Sequence, residues 1–302
     1  MKKVIILLGP TGVGKTAAAL SLAGSLGTEI ISADSMQIYR GMDIGTAKPS
    51  AEERAGIRHH MIDIVDPPEA YSAGRYIDEI VPVIDRLLEL GKVPLITGGT
   101  GLYIKAITRG IFSGPSADLP LREELLEAEA EAPGTLFRRL LDLDPEAAAR
   151  IDRHDIRRIV RALEVCMTAG KTMSGMQEKF TRPLPYDFLK IGLTRDREEL
   201  YRIIDRRVDV MLAAGLEDEV RALLSKAPDR TPLQAIGYKE MAAFLRGEIP
   251  KEEAVRLIRR NTRRYAKRQF TWFRKEEGIR WVDITGIYDR EGIFRLVLKA
   301  LE

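Results

Sequence analysis

The chain has 302 residues, with 48 lysines and arginines against 45 aspartates and glutamates and a net charge of +3. A content of 45% apolar and 31% charged residues is ordinary for a globular protein and excludes wholesale disorder. The single cysteine, Cys166, excludes an internal disulfide framework and a multi-cysteine zinc site, and three histidines, His59, His60 and His154, are too few for a metal cluster. Along the chain, residues 4–8 form a short apolar run stopped by glycine and predict a strand; it is far shorter than the ~20 residues of a membrane span. Residues 16–26 predict a helix, residues 29–32 a second strand and residues 61–65 another. Residues 76–90 carry helical periodicity and stop at Gly91. Residues 93–97 predict a strand closed by Gly98 and Gly99. Strands alternating with helices imply an α/β fold, a parallel sheet flanked by helices. From residue 113 the texture changes. Pro115, Pro120, Pro133 and Pro145 punctuate segments rich in Ala, Glu, Leu and Arg, with helices expected at 121–132, 136–142 and 155–169. Residues 188–194 return to strand, 197–224 follow as a helix broken near Gly215, 254–275 form a long basic helix, and 281–284 form a last strand. The expected organisation is a core of residues 1–112 and 188–302 interrupted by a mostly helical insertion, 113–187.

Gly9, Pro10, Thr11, Gly12, Val13, Gly14, Lys15 and Thr16 match G-x-x-x-x-G-K-[ST] directly after a strand and at the start of a helix, the context a phosphate loop requires. Backbone N–H groups close around phosphate oxygens, the helix N-terminus favours negative charge, and Lys15 adds a point charge. Thr16 is suited to ligate Mg²⁺ bridging phosphates. This predicts a P-loop NTPase-like core binding a di- or triphosphate. Hydrolysis, kinase transfer and use of diphosphate as a leaving group stay open. Asp34 follows the second strand at the carboxyl edge, where ligands bind in open α/β sheets. A carboxylate there either holds Mg²⁺ or accepts a proton, and its bland role is a turn or helix cap. Gln37 carries the donor and acceptor needed to read a base edge. Thr100 places a hydroxyl within Gly98-Gly99-Thr100-Gly101.

The charge is unevenly spread. Residues 256–275 hold nine basic residues and no acidic one. Arg256, Arg259, Arg260, Arg263, Arg264, Lys267 and Arg268 recur at helical spacing, as a face matching nucleic-acid phosphates would. Arg150, Arg153, Arg157, Arg158 and Arg161 form a second stripe if their segment is one helix. Two stripes predict a groove for folded RNA.

GPTGVGKT at 9–16, SADSMQIYRGMDIGTAKP at 32–49, GGTGLYIKA at 98–106, RRIVRALEV at 157–165, QAIGYKE at 234–240 and RNTRRYAKRQFTWFR at 260–274 occur in this order. Together they resemble the bacterial tRNA isopentenyltransferase (tRNA dimethylallyltransferase) family over most of the chain. The resemblance implies transfer of a dimethylallyl group from dimethylallyl diphosphate to the exocyclic amine of the adenosine 3′ of the anticodon, with Mg²⁺ as cofactor. It implies that Asp34 takes the amine's proton, that Thr100 contacts the base or diphosphate, and that Lys15 and Arg207 hold the diphosphate, with Arg206 a neighbouring candidate. It implies tRNA contacts at Asp34, Ser35, Met36, Gln37, Thr100, Arg122, Arg157, Arg158, Arg161, Gln234, Gly237, Tyr238 and Lys239, with the base extruded into a pocket. The basic helix, through Arg260, Arg263, Arg264, Lys267 and Arg268, is expected to grip the anticodon stem-loop. A cytoplasmic monomer without a zinc finger is expected. Competing readings are an adenylate isopentenyltransferase acting on free nucleotide, a small-molecule kinase, and a non-catalytic nucleic-acid-binding NTPase.

Overall fold

The structure, a computed structural model, describes residues 2–112, 114, 115 and 117–302. The first half of the core runs β1 (Lys3–Leu8), α1 (Lys15–Leu26), β2 (Ile30–Ala33), α2 (Ala51–Gly56), β3 (His59–His60), α3 (Ala73–Glu89), β4 (Leu95–Gly98) and α4 (Gly101–Arg109). Five helices follow: α5 (Leu119–Glu131), α6 (Thr135–Leu143), α7 (Pro145–Arg150), α8 (Ile156–Ala169) and α9 (Met173–Phe180). The chain then returns through β5 (Asp187–Thr194), α10 (Arg197–Ala213), α11 (Leu216–Leu224), α12 (Arg230–Leu233), α13 (Tyr238–Leu245), α14 (Lys251–Phe273), β6 (Ile279–Asp283) and α15 (Arg290–Lys299).

The six strands form one parallel sheet in the order β3-β2-β4-β1-β5-β6. Five of the six residues of β1 and all four of β2 are buried, as expected for strands covered on both faces. The register aligns the strand ends: Leu8 pairs with Gly98 and with Gly192, and Ala33 pairs with Gly98. The loops after β1, β2 and β4 therefore emerge side by side at the carboxyl edge. Beneath them, Ile5, Leu7 and Val13 pack with α1, with Leu200 and Ile204 of α10, and with Ile293 and Val297 of α15. A second cluster fastens the segment after β2 to the C-terminal helices: Ile38, Tyr39, Met42 and Val65 pack with Val208, Leu216, Tyr238, Met241 and Ile258.

Two compact units result, Met1–Ile104 with Pro185–Glu302, and Lys105–Leu184. The expected insertion start at residue 113 falls on Ser113, which lies outside the described residues. The second unit has its own core of Leu125, Leu136, Leu140, Ile159 and Leu163. Asp144 ties its short helices together. Its carboxylate caps α7 at Ala147 N–H (3.0 Å) and accepts from the Ser174 N–H (2.9 Å) and hydroxyl (2.6 Å).

Two expectations are corrected. Residues 61–65 are not a strand: β3 ends at His60, and Met61 (φ 63°) and Asp63 (φ 56°) adopt left-handed backbone, which ends the extended run. Val65 makes only an isolated bridge to Tyr39. The arginine stripe at 150–161 is not on one helix. α7 ends at Arg150, and Asp155 starts α8 by accepting from Arg158 N–H (3.2 Å). Among the described residues no helix is long and apolar enough to cross a membrane.

Candidate active site

The loop between β1 and α1 curls tightly at the carboxyl edge. Gly9 has φ 152°, and a Cβ there would meet Leu193 O at 2.8 Å, so only glycine fits. Val13 is buried in the core and anchors the loop there. Lys15 donates to Pro10 O (2.8 Å), and Thr16 is exposed at the rim.

A cavity of about 80 Å³ opens beside this loop. Thr11, Lys15, Thr16, Asp34, Gln37, Thr46, Ala47 and Arg207 are among its lining. Ala19, Ile30 and Ile62 add apolar surface to the lining. Arg207 reaches the cavity from α10, whereas Arg206 is exposed and does not line it. The Thr97 hydroxyl on the cavity wall is buried without a hydrogen-bond partner among the described residues.

The electrostatics call for an anion. Burial pulls Lys15 down to about 8, with Asp34 opposing and Arg207 adding to the shift. Burial also lowers Arg207, again against Asp34. Two desolvated cations thus face one carboxylate, leaving one positive charge that an anionic ligand would satisfy. Asp34 is fixed by its own turn: Oδ1 accepts from Met36 N–H (2.9 Å) and Gln37 N–H (3.3 Å). Oδ2 has no hydrogen bond among the described residues. The turn-capping role and a chemical role therefore coexist on different oxygens.

Thr100 joins the two neighbouring loops. Its N–H donates to Ala33 O (3.1 Å) and its hydroxyl oxygen accepts from Ser35 N–H (3.0 Å). Gln37 is more engaged than a free reader of a base edge. Its Nε2 donates to Thr46 O (3.3 Å) and Ala47 O (3.4 Å), and its Oε1 accepts from Ser32 Oγ (3.2 Å).

On the inner face of α14, sequence reasoning missed Gln269. Gln269 is buried, accepts from Thr11 N–H (2.8 Å) and donates to Gly99 O (2.8 Å), bolting the phosphate loop to the Gly98–Gly101 turn. Tyr265, one turn earlier, is in the field of Asp34. Burial and that field push its hydroxyl up, while Gln269 and Thr100 hydrogen bonds oppose the shift. Trp272 covers Gly101 so closely that a Cβ there would meet its ring at 2.6 Å. Tyr265, Gln269 and Trp272 stand at i, i+4 and i+7 on one helix face; the aromatic pair marks that face in the sequence, whereas the polar type of Gln269 does not.

Several residues expected at RNA make contacts within the scaffold. Tyr238 is fully buried and donates to Glu219 Oε1 (2.5 Å), and Gly237 is buried beside it, so neither presents a side chain to a partner. Gln234 and Lys239 are exposed. Arg122 makes a two-pronged pair with the fully buried Glu164 (2.8 Å and 2.8 Å), and Arg161 donates to the same carboxylate (2.5 Å). These two arginines hold the insertion's interior, while Arg157 and Arg158 are exposed. The α14 stripe has acidic neighbours that the sequence did not reveal. Arg259 pairs with Asp209, Arg263 with Asp205 (3.5 Å) and Arg256 with Glu253 (2.6 Å). Arg264, Lys267 and Arg268 are exposed without an ion pair among the described residues, and Arg260 bonds only the neighbouring Asn261 side chain (3.3 Å).

Comparison with known proteins places these features. The family profile described as IPP transferase matches residues 37–276. A tRNA dimethylallyltransferase of Thermodesulfovibrio yellowstonii is 53% identical over 307 residues, covering 99% of this chain and 98% of the relative. The crystal structure of a tRNA isopentenylpyrophosphate transferase from Bacillus halodurans aligns with a TM-score of 0.73 at 41% identity, over 100% of this chain and 97% of that one. A eukaryotic dimethylallyltransferase, seen crystallographically acting on tRNA, aligns with a TM-score of 0.81 at 30% identity, over 95% of this chain and 75% of that one.

Proposed function

The chain belongs to the IPP transferase family, and from that premise we propose that it transfers a dimethylallyl group from dimethylallyl diphosphate to the exocyclic amine of the adenosine 3′ of the anticodon in tRNA, releasing diphosphate. The observation that carries this reading is the meeting of Lys15, Arg207 and Asp34 at one cavity: two desolvated cations for a diphosphate beside one carboxylate for an amine proton.

The phosphate loop, Lys15 and Arg207 bind the diphosphate, and the apolar lining residues Ala19, Ile30 and Ile62 accommodate the hydrocarbon. The oxygen donors at hand are the Thr16 hydroxyl and the Asp34 carboxylate, and among the described residues no cluster of three His, Cys, Asp or Glu side chains converges. That donor set fits Mg²⁺ shared with substrate phosphates, which needs only one or two protein oxygens. When bound through Thr16, Mg²⁺ supplies further neutralisation of the leaving diphosphate. An adenine amine is a weak nucleophile, so stabilising the departing diphosphate is the larger task. Lys15 and Arg207 do this as the allylic C–O bond breaks. The amine nitrogen bonds to the allylic carbon, and its proton passes to Asp34, whose turn holds the carboxylate in place. Thr100 keeps the Asp34 turn against the strand ends. The base must leave its stack to reach this cavity, and the exposed cations Arg264, Lys267 and Arg268 hold the anticodon stem-loop; in the insertion, Arg157 and Arg158 are separate exposed candidates for phosphate contact.

Incubation with labelled dimethylallyl diphosphate, unmodified tRNA and AMP, without ATP, tests the reading. Label is expected in tRNA. Label in AMP alone makes the chain an adenylate isopentenyltransferase, and a requirement for ATP makes it a kinase-like enzyme.

A further inference from the structure

Glu219, in the first turn of α11, does not line the cavity but accepts four hydrogen bonds beside the segment that does. Its Oε2 accepts from the N–H groups of Asp43 (2.8 Å) and Ile44 (2.7 Å). Its Oε1 accepts from Gly45 N–H (3.0 Å) and from the Tyr238 hydroxyl (2.5 Å). Four donors fill the four acceptor sites a carboxylate offers, and three consecutive amides converge on it as on a bound anion. Gly45 lies flat on Tyr238: a Cβ there would fall 2.4 Å from the ring. Burial and Glu219 both push the Tyr238 hydroxyl up, so it remains a donor.

The next two residues carry this arrangement to the cavity. Thr46 O accepts from Arg207 Nη2 (3.4 Å) and from Gln37 Nε2 (3.3 Å), and Ala47 O accepts from Gln37 Nε2 (3.4 Å). Ala47 holds φ 46°, a conformation that costs a non-glycine residue energy and persists only where its surroundings impose it. Lys48 fixes the far side. Its side chain is 1% exposed and bonds Tyr39 O (2.9 Å), Asp43 (2.5 Å) and Asp63 (2.6 Å). The turn that orients Arg207 is therefore clamped on one side by Glu219 and on the other by Lys48.

We propose that Glu219, backed by Tyr238, is a positioning residue for the diphosphate: it sets the 43–47 turn so that Thr46 O holds the Arg207 guanidinium at the cavity. The inference rests on the reading of Arg207 as a diphosphate ligand. It also gives two segments distant in sequence, 42–48 and 234–240, one shared physical task.

The test titrates inorganic diphosphate by calorimetry into wild type, E219Q, Y238F and the surface control E217Q, and measures KM, kcat and tRNA affinity for each. A carboxamide turns an N–H donor toward two of the four donors, so E219Q is expected to weaken diphosphate binding and raise KM for dimethylallyl diphosphate about tenfold or more. Affinity for tRNA should stay within about twofold. Y238F keeps the three amide contacts and should show a smaller shift in the same direction, about threefold; it also carries the test if E219Q does not fold. E217Q, which loses only exposed pairs with Arg221 and Lys251, should match wild type. In a double-mutant cycle E219Q should add little to R207A. Unchanged diphosphate affinity in folded E219Q or Y238F, or full additivity with R207A, overturns the proposal. Because the titration needs no turnover, failure of the prenyl-transfer reading appears separately, as a wild-type protein that binds diphosphate but transfers nothing.

Discussion

Asp34 caps its turn with one oxygen and, in the proposed reaction, takes the amine proton with the other, so its chemistry can be separated from its structural role. Oδ1 caps the turn at Met36 and Gln37. Asp34→Asn keeps that acceptor and removes the charge. Prenyl transfer is expected to fall by roughly 10²–10⁴-fold while tRNA binding and melting temperature stay near wild type; a variant that unfolds or still turns over normally would contradict the assignment. Lys15 makes a pH prediction. Burial pulls it down to about 8, so the free enzyme loses a diphosphate-binding charge as pH rises through about 8, and kcat/KM for dimethylallyl diphosphate should fall there. The sign for stability is opposite. Between about pH 8 and the ordinary lysine value the unfolded chain binds more protons than the folded one, so this residue's contribution to stability rises with pH. At neutral pH the buried charge is a cost, and Lys15→Met should melt higher than wild type while losing diphosphate binding. Calorimetry of both variants checks the pair of signs; equal melting temperatures across this pH range would contradict them.

Helix α14 has two jobs on two faces. Its inner face carries Gln269, bonded to both Thr11 and Gly99, and its outer face carries Arg264, Lys267 and Arg268. Replacing each of these three with Gln should reduce the slope of log affinity for tRNA against log salt by about one unit. Arg259 and Arg263, already paired with Asp209 and Asp205, should change it much less. Equal slopes for all five would mean that the ion pairs open on binding. The same helix shows what a sequence makes legible. Charge spacing announced a basic helix, and its length was close to that observed. Which arginines remain available was invisible, because the partners Asp205 and Asp209 lie about fifty residues away on α10. The phosphate loop was legible in full, since its glycines and Lys15 act through backbone turns local in sequence. The 61–65 segment misled because its apolar pattern suits a strand, whereas the Lys48–Asp63 pair (2.6 Å) and left-handed backbone at Met61 and Asp63 impose a turn. Tyr238 and Arg122 were assigned to RNA by resemblance. Only packing shows that Tyr238 is buried against Glu219 and that Arg122 pairs with the buried Glu164 of its own unit.

At the scale of the whole molecule, the net charge of +3 conceals two different uses of positive charge. Some cations are spent internally. Glu29, for example, is held down to about 2, burial notwithstanding, by hydrogen bonds from His60, Arg86 and Lys92. Others, on α14 and at the start of α8, stay exposed; a free nucleotide offers too few phosphates to need them. The central claim is that the Lys15, Arg207 and Asp34 cavity prenylates one adenosine of tRNA. Mass spectrometry of nucleosides and mapped fragments, after unmodified tRNA is incubated with the protein, dimethylallyl diphosphate and Mg²⁺, tests it most directly. The account predicts a dimethylallyl group on the exocyclic amine of the adenosine 3′ of the anticodon and nowhere else. Recovery of wholly unmodified tRNA from a folded, diphosphate-binding protein would contradict it.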